Sequence, residues 1–549
     1  MLNTDELRYK NRDELIEIVS LTQEKLSLQE SKITKQEYKL SEQKDKINSQ
    51  ENKLKSSHQT VALLKEYIQL LKHQRFAQSS EKYTDANLQG CLFDEAELPT
   101  NQPEIEAAEE EITIPEHTRK KAGRKSLAKE LPRKQIIHDL TADEKVCSCG
   151  CGLTHIGDEI TEQLDIVPAK IYVIQHVCRK YACKGGCENT IKTAKKPKQP
   201  IPKSVAAPGL LAHVLTQKFQ YHLPLYRQEQ MLKGIGVEIL RNTLSLWIIK
   251  CGQLFQPLVN LLQDEILSYD IAYADESTLQ VLKEENKTAQ STSYMWVFGG
   301  GPPERFCYLY QYHPNRKHQI AIDFFNGYKG YLHCDGYQAY DSLSAINKEV
   351  VQVGCWYHAR RKFTDAAKVS KKTGMADWFI KQIQRLAKVE KVITTDELTP
   401  EQAHAYRNEH APEIIDKIKT KLDELQDKTA PQGLLGKAIN YTLSQWPKLV
   451  KYLEDGRLEI SNNKMERAIK PFAVGRKNWL FANSTNGAHA AANIFSLIET
   501  CKAHKVDPYN WLRDTLTKIP ACETLEQYEK LMPFNFKKNA AELNSQPGG

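Results

Sequence analysis

Ile271-Ala-Tyr-Ala-Asp275 and Gly330-Tyr-Leu-His-Cys-Asp335 are two short apolar runs, each leading onto an aspartate. Their surroundings decide the fold. Before residue 268 the apolar spacing is helical, and after it the period shortens to that of strands. Runs at Tyr294–Gly299 and Phe306–Tyr312 follow the first aspartate, with the turn material Gly299-Gly-Gly-Pro-Pro303 between them. The pattern then predicts a short helix over Gln319–Phe325, the strand into Asp335, another helix, and a fifth strand over Val350–Val353. Three antiparallel strands, helix, strand, helix, strand is the order of a ribonuclease-H-like mixed sheet. In that order the first and fourth strands are neighbours. Asp275 and Asp335, each expected to end its strand, then stand side by side.

Adjacent carboxylates repel unless a cation lies between them. Oxygen donors of this kind suit Mg2+ or Mn2+. A pair of such ions activates water and stabilises the leaving oxygen in phosphodiester displacement. The third acid is expected at Glu466, within Ser461-Asn-Asn-Lys-Met-Glu-Arg467, where Ser461 or Asn462 would cap a helix. The catalytic and magnesium set is therefore Asp275, Asp335 and Glu466. Arg467, Lys470, Arg476 and Lys477 crowd the same segment, interleaved with Trp479 and Phe481. Such a surface suits phosphates and an exposed base. Glu276 should face away from the site by strand alternation.

Working outward, Pro208–Leu262 has helical spacing broken at His222-Leu-Pro-Leu-Tyr-Arg227 and at Gly234-Ile-Gly-Val237, a helix-turn-helix outline. Further back, Cys147/Cys151 and Cys183/Cys187 form two knuckle-spaced pairs that suit tetrahedral Zn2+. Cys149 is an alternative to either member of the first pair, and Cys178 is left over. Between the pairs, Glu162–Val177 alternates like strands, so the segment reads as a small zinc ribbon. Arg119, Lys120, Lys121, Arg124 and Lys125 form a basic stretch suited to phosphates or a minor groove. It follows an acidic, proline-bearing linker over residues 84–117 that cannot bury much surface.

The N-terminal region carries a seven-residue repeat: Val19, Leu26, Ile33, Leu40, Ile47, Leu54, Val61 and Ile68 form one apolar column. The companion column is polar up to Ser57, which predicts a long helix that self-associates weakly and is firmest near residues 61–71. The whole chain of 549 residues is too long for one core, and its net charge of +7 permits a nucleic-acid partner. No stretch approaches the roughly 20 apolar residues of a membrane span. The first twenty residues are charged throughout, without a secretory signal. A cytoplasmic protein, associated with the nucleoid through DNA, is expected.

Taken in order, the motifs resemble those of the insertion sequence 66 family of transposases. The resemblance runs through Arg75-Phe-Ala-Gln-Ser-Ser-Glu-Lys82, Gly123-Arg-Lys-Ser-Leu-Ala-Lys-Glu-Leu-Pro-Arg133, Glu162-Gln-Leu-Asp165, Lys180-Tyr-Ala-Cys183 and His222–Arg227. It continues through Ala274-Asp-Glu-Ser277, Cys334-Asp-Gly-Tyr337, Cys355-Trp-Tyr-His-Ala-Arg-Arg-Lys-Phe363, Asn462-Asn-Lys-Met-Glu-Arg-Ala468, Gly475-Arg-Lys-Asn-Trp-Leu-Phe481 and Leu531-Met-Pro-Phe-Asn-Phe536. The resemblance implies an acidic-triad transposase that cuts and joins DNA, with Asp275, Asp335 and Glu466 at the family's acidic positions. It places His358, Arg360 and Arg361 near DNA phosphate and residues 365–445 in a helical insertion. It also implies accessory proteins of the same element. Cys-Ser-Cys-Gly-Cys and Phe76-Ala77 depart from the family's usual spacing and residue.

The expected architecture is α/β and multidomain. It comprises a coiled-coil helix (1–83), a linker with a basic stretch (84–135), a zinc ribbon (136–200) and a helical DNA-binding region (201–268). The catalytic core follows in two parts (269–364 and 446–505) around the insertion (365–445), then a C-terminal segment with a disordered tail (506–549). Partners are the element's DNA ends, target DNA and a second copy through the N-terminal helix. Three rival readings share parts of this pattern, one of them a coiled-coil scaffold in which residues 1–80 carry all activity in partner binding. A catalytically silent zinc-dependent DNA-binding protein would cleave nothing, and a general nuclease would cleave DNA lacking the ends.

Overall fold

The computed structural model describes residues 12–76, 171–181, 192–369 and 374–536. The chain divides into two units, residues 1–79 with 197–549, and residues 80–196.

In the smaller unit, Lys180–Tyr181 pairs antiparallel with Lys192–Thr193. The alternation that predicted strands up to Val177 does not give one over residues 171–177. Val173 is 87% exposed, and alternation makes a strand only where a neighbour supplies the ladder and a surface to cover. The proposed zinc ligands Cys147, Cys151, Cys183 and Cys187 lie outside the described residues. So do Cys149 and the basic stretch Arg119, Lys120, Lys121, Arg124 and Lys125.

The larger unit opens with α1 (Arg12–Phe76), a single helix of 65 residues. Its apolar column is exposed from Val19 to Ile68. Among the described residues, its last turns dock: Leu70 is buried, and Glu66 Oε2 accepts the Leu434 N–H at 3.3 Å. Four helices then lead in: α2 (Pro208–Phe219), α3 (Leu225–Gly234), α4 (Arg241–Leu254) and α5 (Gln256–Ser268).

The sheet comprises β1 (Ile271–Lys283), β2 (Thr292–Gly300), β3 (Cys307–His313), β4 (Gly330–His333) and β5 (Val350–Val353). Its spatial order is β3-β2-β1-β4-β5. The first three strands pair antiparallel in succession, whereas β4 and β5 run parallel to β1. Two expected boundaries move. β1 continues for eight residues past Asp275, because Glu276–Gln280 remain laddered to β2. β4 ends at His333, which leaves Asp335 in the following loop.

Helices α6 (Gln319–Phe324) and α7 (Gln338–Ile346) cover one face of the sheet. There Phe324 stacks on Phe298 at 3.7 Å, and Tyr340 meets Trp296 edge-on. After β5 come α8 (Trp356–Val369), α9 (Met375–Thr395), α10 (Pro400–His410), α11 (Pro412–Gln426) and α12 (Leu434–Leu449). The chain then returns to the sheet through α13 (Asn463–Trp479), β6 (Ala482–Ser484) and α14 (Thr485–Ala503), and finishes with α15 (Pro508–Lys518) and α16 (Leu525–Glu529). β6, absent from the sequence reading, adds to the far end of β1 in parallel.

α14 seals the sheet's edge. Ser496 Oγ and Thr500 Oγ1 accept the N–H groups of Tyr310 (2.8 Å) and Tyr308 (3.1 Å) on β3. An open edge that would invite another strand is thereby closed. α4 can lie close to α14 because Gly252 faces Ala490; a Cβ there would sit 2.6 Å from the Ala490 Cα. One continuous apolar core runs from Ile201 to Phe534 and includes α2, α4, α5, the sheet, α14 and Trp511 of α15. No helix among the described residues is long and apolar enough to cross a membrane.

Between β5 and α13, the buried Arg407 holds the inserted helices to the returning chain. It pairs with Glu390 (2.8 and 2.7 Å) and donates to the carbonyls of Tyr452, Asp455 and Gly456 (3.1–3.3 Å). Removing one partner of a buried pair leaves an uncompensated charge. Arg407→Ala should therefore destabilise the larger unit by about 3–5 kcal/mol, read as a lower urea midpoint; an unchanged midpoint would contradict this anchoring role.

Candidate active site

Parallel pairing of β1 with β4 sets Tyr273 opposite His333, and the two rings stack at 4.7 Å. Asp275 and Asp335 each follow this pair by two residues, so they emerge at the same level of the sheet. Asp275 Oδ1 accepts the Glu276 N–H at 2.8 Å. Asp335 Oδ1 accepts the Tyr337 N–H at 2.9 Å, which fixes its loop where α7 begins.

Glu466 reaches the same locale through Asn462. This residue stands at the N-cap of α13 but caps nothing with its side chain. Its amide instead donates to the Ala274 carbonyl at 3.0 Å, one residue before Asp275. The expected cap thus gives way to a tertiary bond that ties the helix start to β1. Ser461, the alternative cap, is buried one residue earlier. Met465 lies over Gly299, where a Cβ would come within 2.8 Å of its sulfur.

The electrostatics follow from this crowding. Burial raises the Asp275 carboxyl well above the usual range, and the negative charges of Glu276, Asp335 and Glu466 push the same way. Glu466 itself leans toward His358 Nε2 (3.7 Å) and Arg361 Nη2 (3.5 Å) on α8. Burial lowers the His358 imidazole, while Glu466 and Asp335 oppose that shift.

Glu276 points to the opposite face, as alternation requires, yet it has a role that the sequence reading did not assign. Its buried carboxylate accepts from Arg316 Nε at 2.7 Å and from the Tyr340 hydroxyl at 3.0 Å. The Arg316 guanidinium lies 3.6 Å above the Tyr337 ring, and the Tyr337 hydroxyl donates to the Arg316 carbonyl. This clamp braces the loop that carries Asp335. An arginine forty residues from its acid has no local sequence signal.

The basic residues of α13 divide. Arg467 and Lys477 are exposed and Lys470 is half-buried. Arg476 turns inward, donating to the Thr278 carbonyl and hydroxyl and to Ser277 Oγ on β1. On α8, Arg361 is exposed and Arg360 half-buried. Trp479 is not free to stack on a base: it packs on Phe472, with the Lys218 ammonium 5.3 Å from its ring. Burial lowers that ammonium to about 8. Phe481 is the exposed aromatic of the segment.

Comparison with known proteins agrees along the chain. Residues 203–490 match the family model described as Transposase IS66 family, and residues 496–534 match the IS66 C-terminal element. Residues 63–136 match a model described as Transposase C of IS166 homeodomain, and residues 144–188 match the zinc-finger binding domain of transposase IS66. Two uncharacterized proteins of Sinorhizobium fredii are similar over most of the chain. One, y4jD, is 32% identical over 425 residues, covering 75% of this chain and 81% of its own length. The other, y4qI, is 31% identical over 500 residues, covering 87% and 90%. The chain is a transposase, with a zinc-finger domain ahead of its mixed-sheet core. It belongs to the IS66 family.

Because the folded state holds the proton of Asp275 more tightly than the unfolded chain, ionising this carboxyl opposes folding. The stability it contributes is present at low pH and is lost as pH rises through the raised value. Asp275→Asn should therefore melt higher than wild type, by a margin that widens with pH. A margin that is flat with pH would contradict the crowding described here.

Proposed function

We propose that this chain is the cutting and joining enzyme of its insertion sequence, built on a ribonuclease-H-like core in which Asp275, Asp335 and Glu466 hold Mg2+ or Mn2+. The observation that carries the reading is the approach of three acids from β1, the loop after β4 and the first turn of α13, near enough that the charges of Asp335 and Glu466 help raise the Asp275 carboxyl. Their donors are hard oxygens, the type these ions select. The strand order β3-β2-β1-β4-β5 supports the ribonuclease-H-like assignment. When bound, such ions supply an activated oxygen nucleophile and charge stabilisation on the leaving oxygen.

The chain's own residues orient and bind. Asp275 stands on the sheet and Asp335 in the loop just past β4, where the Glu276–Arg316–Tyr337 clamp keeps it in place. Glu466 arrives on a helix tethered to β1 by Asn462. Arg361, Arg467, Lys470 and Lys477 offer cations to the phosphodiester backbone, with His358 and Arg360 beside them and Phe481 available to an unstacked base. Arg476 acts from behind, holding α13 against β1. Ahead of the core, Arg119, Lys120, Lys121, Arg124 and Lys125 bind phosphate, and Cys147, Cys151, Cys183 and Cys187 bind structural Zn2+, with Cys149 the alternative. α1 pairs two copies across two DNA ends, and proteins of the same element assist. The domain boundaries given from sequence belong to this reading.

The deciding assay uses supercoiled DNA carrying the element's ends, with Mn2+. Wild type should nick at the ends and transfer strands, while Asp335→Ala and Glu466→Gln should lose both activities with DNA affinity changed less than about threefold. Turnover by Asp335→Ala at the wild-type rate removes that residue from the chemistry, and equal cutting of DNA without ends favours a general nuclease. Affinity should also fall steeply with salt, with a logarithmic slope of about −0.9 for each phosphate neutralised. A flat dependence would remove the basic surface from the interface.

A further inference from the structure

β5 ends at Val353, and the chain passes through Gly354 and Cys355 into α8. Cys355 is 3% exposed, and its sulfur accepts the Asn462 N–H at 3.3 Å. The backbone N–H groups of Tyr357 and His358 also favour its charged form, although burial raises the thiol overall to about 11. One turn along α8, His358 presents Nε2 3.7 Å from Glu466 Oε1, while its Nδ1 is buried without a hydrogen-bond partner. Donor atoms of Cys355, His358 and Glu466 all lie within 4.8 Å of one another, the one such trio of potential metal-binding residues among the described residues.

The chemistry of this trio differs from that of the three carboxylates. A hard ion such as Mg2+ keeps oxygen ligands and has little use for a thiolate. Sulfur, imidazole and carboxylate together select Zn2+ or Co2+, with three protein donors and one open position. The two backbones that carry the donors are already joined, because Asn462 N–H meets Cys355 Sγ and the Trp356 N–H meets the Ile460 carbonyl at 3.1 Å. Little rearrangement separates the present geometry from a bound one.

We propose that Cys355, His358 and Glu466 form a site for a thiophilic divalent cation, and that its occupation withdraws Glu466 from the carboxylate group and opposes Mg2+- or Mn2+-dependent cutting. Binding releases the thiol proton to solvent and forms a sulfur–metal bond. Glu466 is then shared between two cation environments, one hard and one soft, and the soft one switches the other off. The inhibitory half rests on the reading of Glu466 given above; the binding half does not.

The test uses the full chain with its zinc finger first filled with Zn2+, then titrated with Co2+ without DNA. Wild type should take up one further equivalent and develop a thiolate-to-cobalt charge-transfer band in the near ultraviolet. Cys355→Ser should lose the band and bind Co2+ about tenfold or more weakly, with unchanged circular dichroism. His358→Ala provides the same reading should the serine variant fail to fold. An undiminished band in both variants, or no uptake beyond the finger, overturns the site. Added Zn2+ should then suppress cleavage of end-bearing DNA in Mn2+, and excess Mn2+ should restore it. Cleavage indifferent to Zn2+ in a protein that shows the band overturns the switch. Absence of any cleavage in Mn2+ alone instead counts against the proposed DNA chemistry, since the cobalt band is read without DNA.

Discussion

The larger unit is organised around a repulsion. The β1–β4 ladder up to Tyr273 and His333 brings Asp275 and Asp335 out near one another, where burial and the charge of Asp335 both raise the Asp275 carboxyl. Left alone, such a pair favours protonation or separation. The fold permits neither strand to slip, since a one-residue shift would turn the Tyr273–His333 stack and the whole apolar face outward. Unfavourable charge is thus stored in a place held rigid by favourable packing.

Much of the remaining architecture serves that rigidity. α14 covers the β3 edge with two hydroxyls that accept from the Tyr310 and Tyr308 N–H groups and donate back to their own helix, at the Ala492 and Ser496 carbonyls. Arg407 fastens the inserted helices to the segment that returns to the sheet, and Asn462 converts that return into a fixed position for Glu466. Each anchor is a polar bond within or beside the apolar core, where geometry is specified more sharply than by packing alone.

The strands were legible because alternation and turn residues are local signals, and the two aspartates stood out because apolar runs lead into them. Their adjacency followed from element order alone. The sequence could not show where β1 ends: Glu276 and Ser277 interrupt the apolar alternation, and the ladder to β2 carries the strand across them. Asn462 illustrates the same limit, since its capping propensity is real but a carbonyl on a distant strand takes the amide instead. Glu276 with Arg316, and β6 with β1, are pairings between distant segments without a periodic trace. Trp479 looked available because composition cannot distinguish an aromatic ring on a surface from one folded beneath a lysine.

One mechanical consequence lies in α1. A helix of 65 residues is about 98 Å long at 1.5 Å per residue, and among the described residues it is fastened at its last turns, where Glu66 grips the first residue of α12. The opposite end of α12 contacts the elements beside the sheet, through the Gly354 N–H on the Lys448 carbonyl and through Lys448 on Asp341 of α7. The long helix is therefore a lever whose fulcrum rests on the same rod that buttresses the Asp335 loop. A small tilt imposed at its tip by anything that grips it would be felt, geared down, beside the carboxylates.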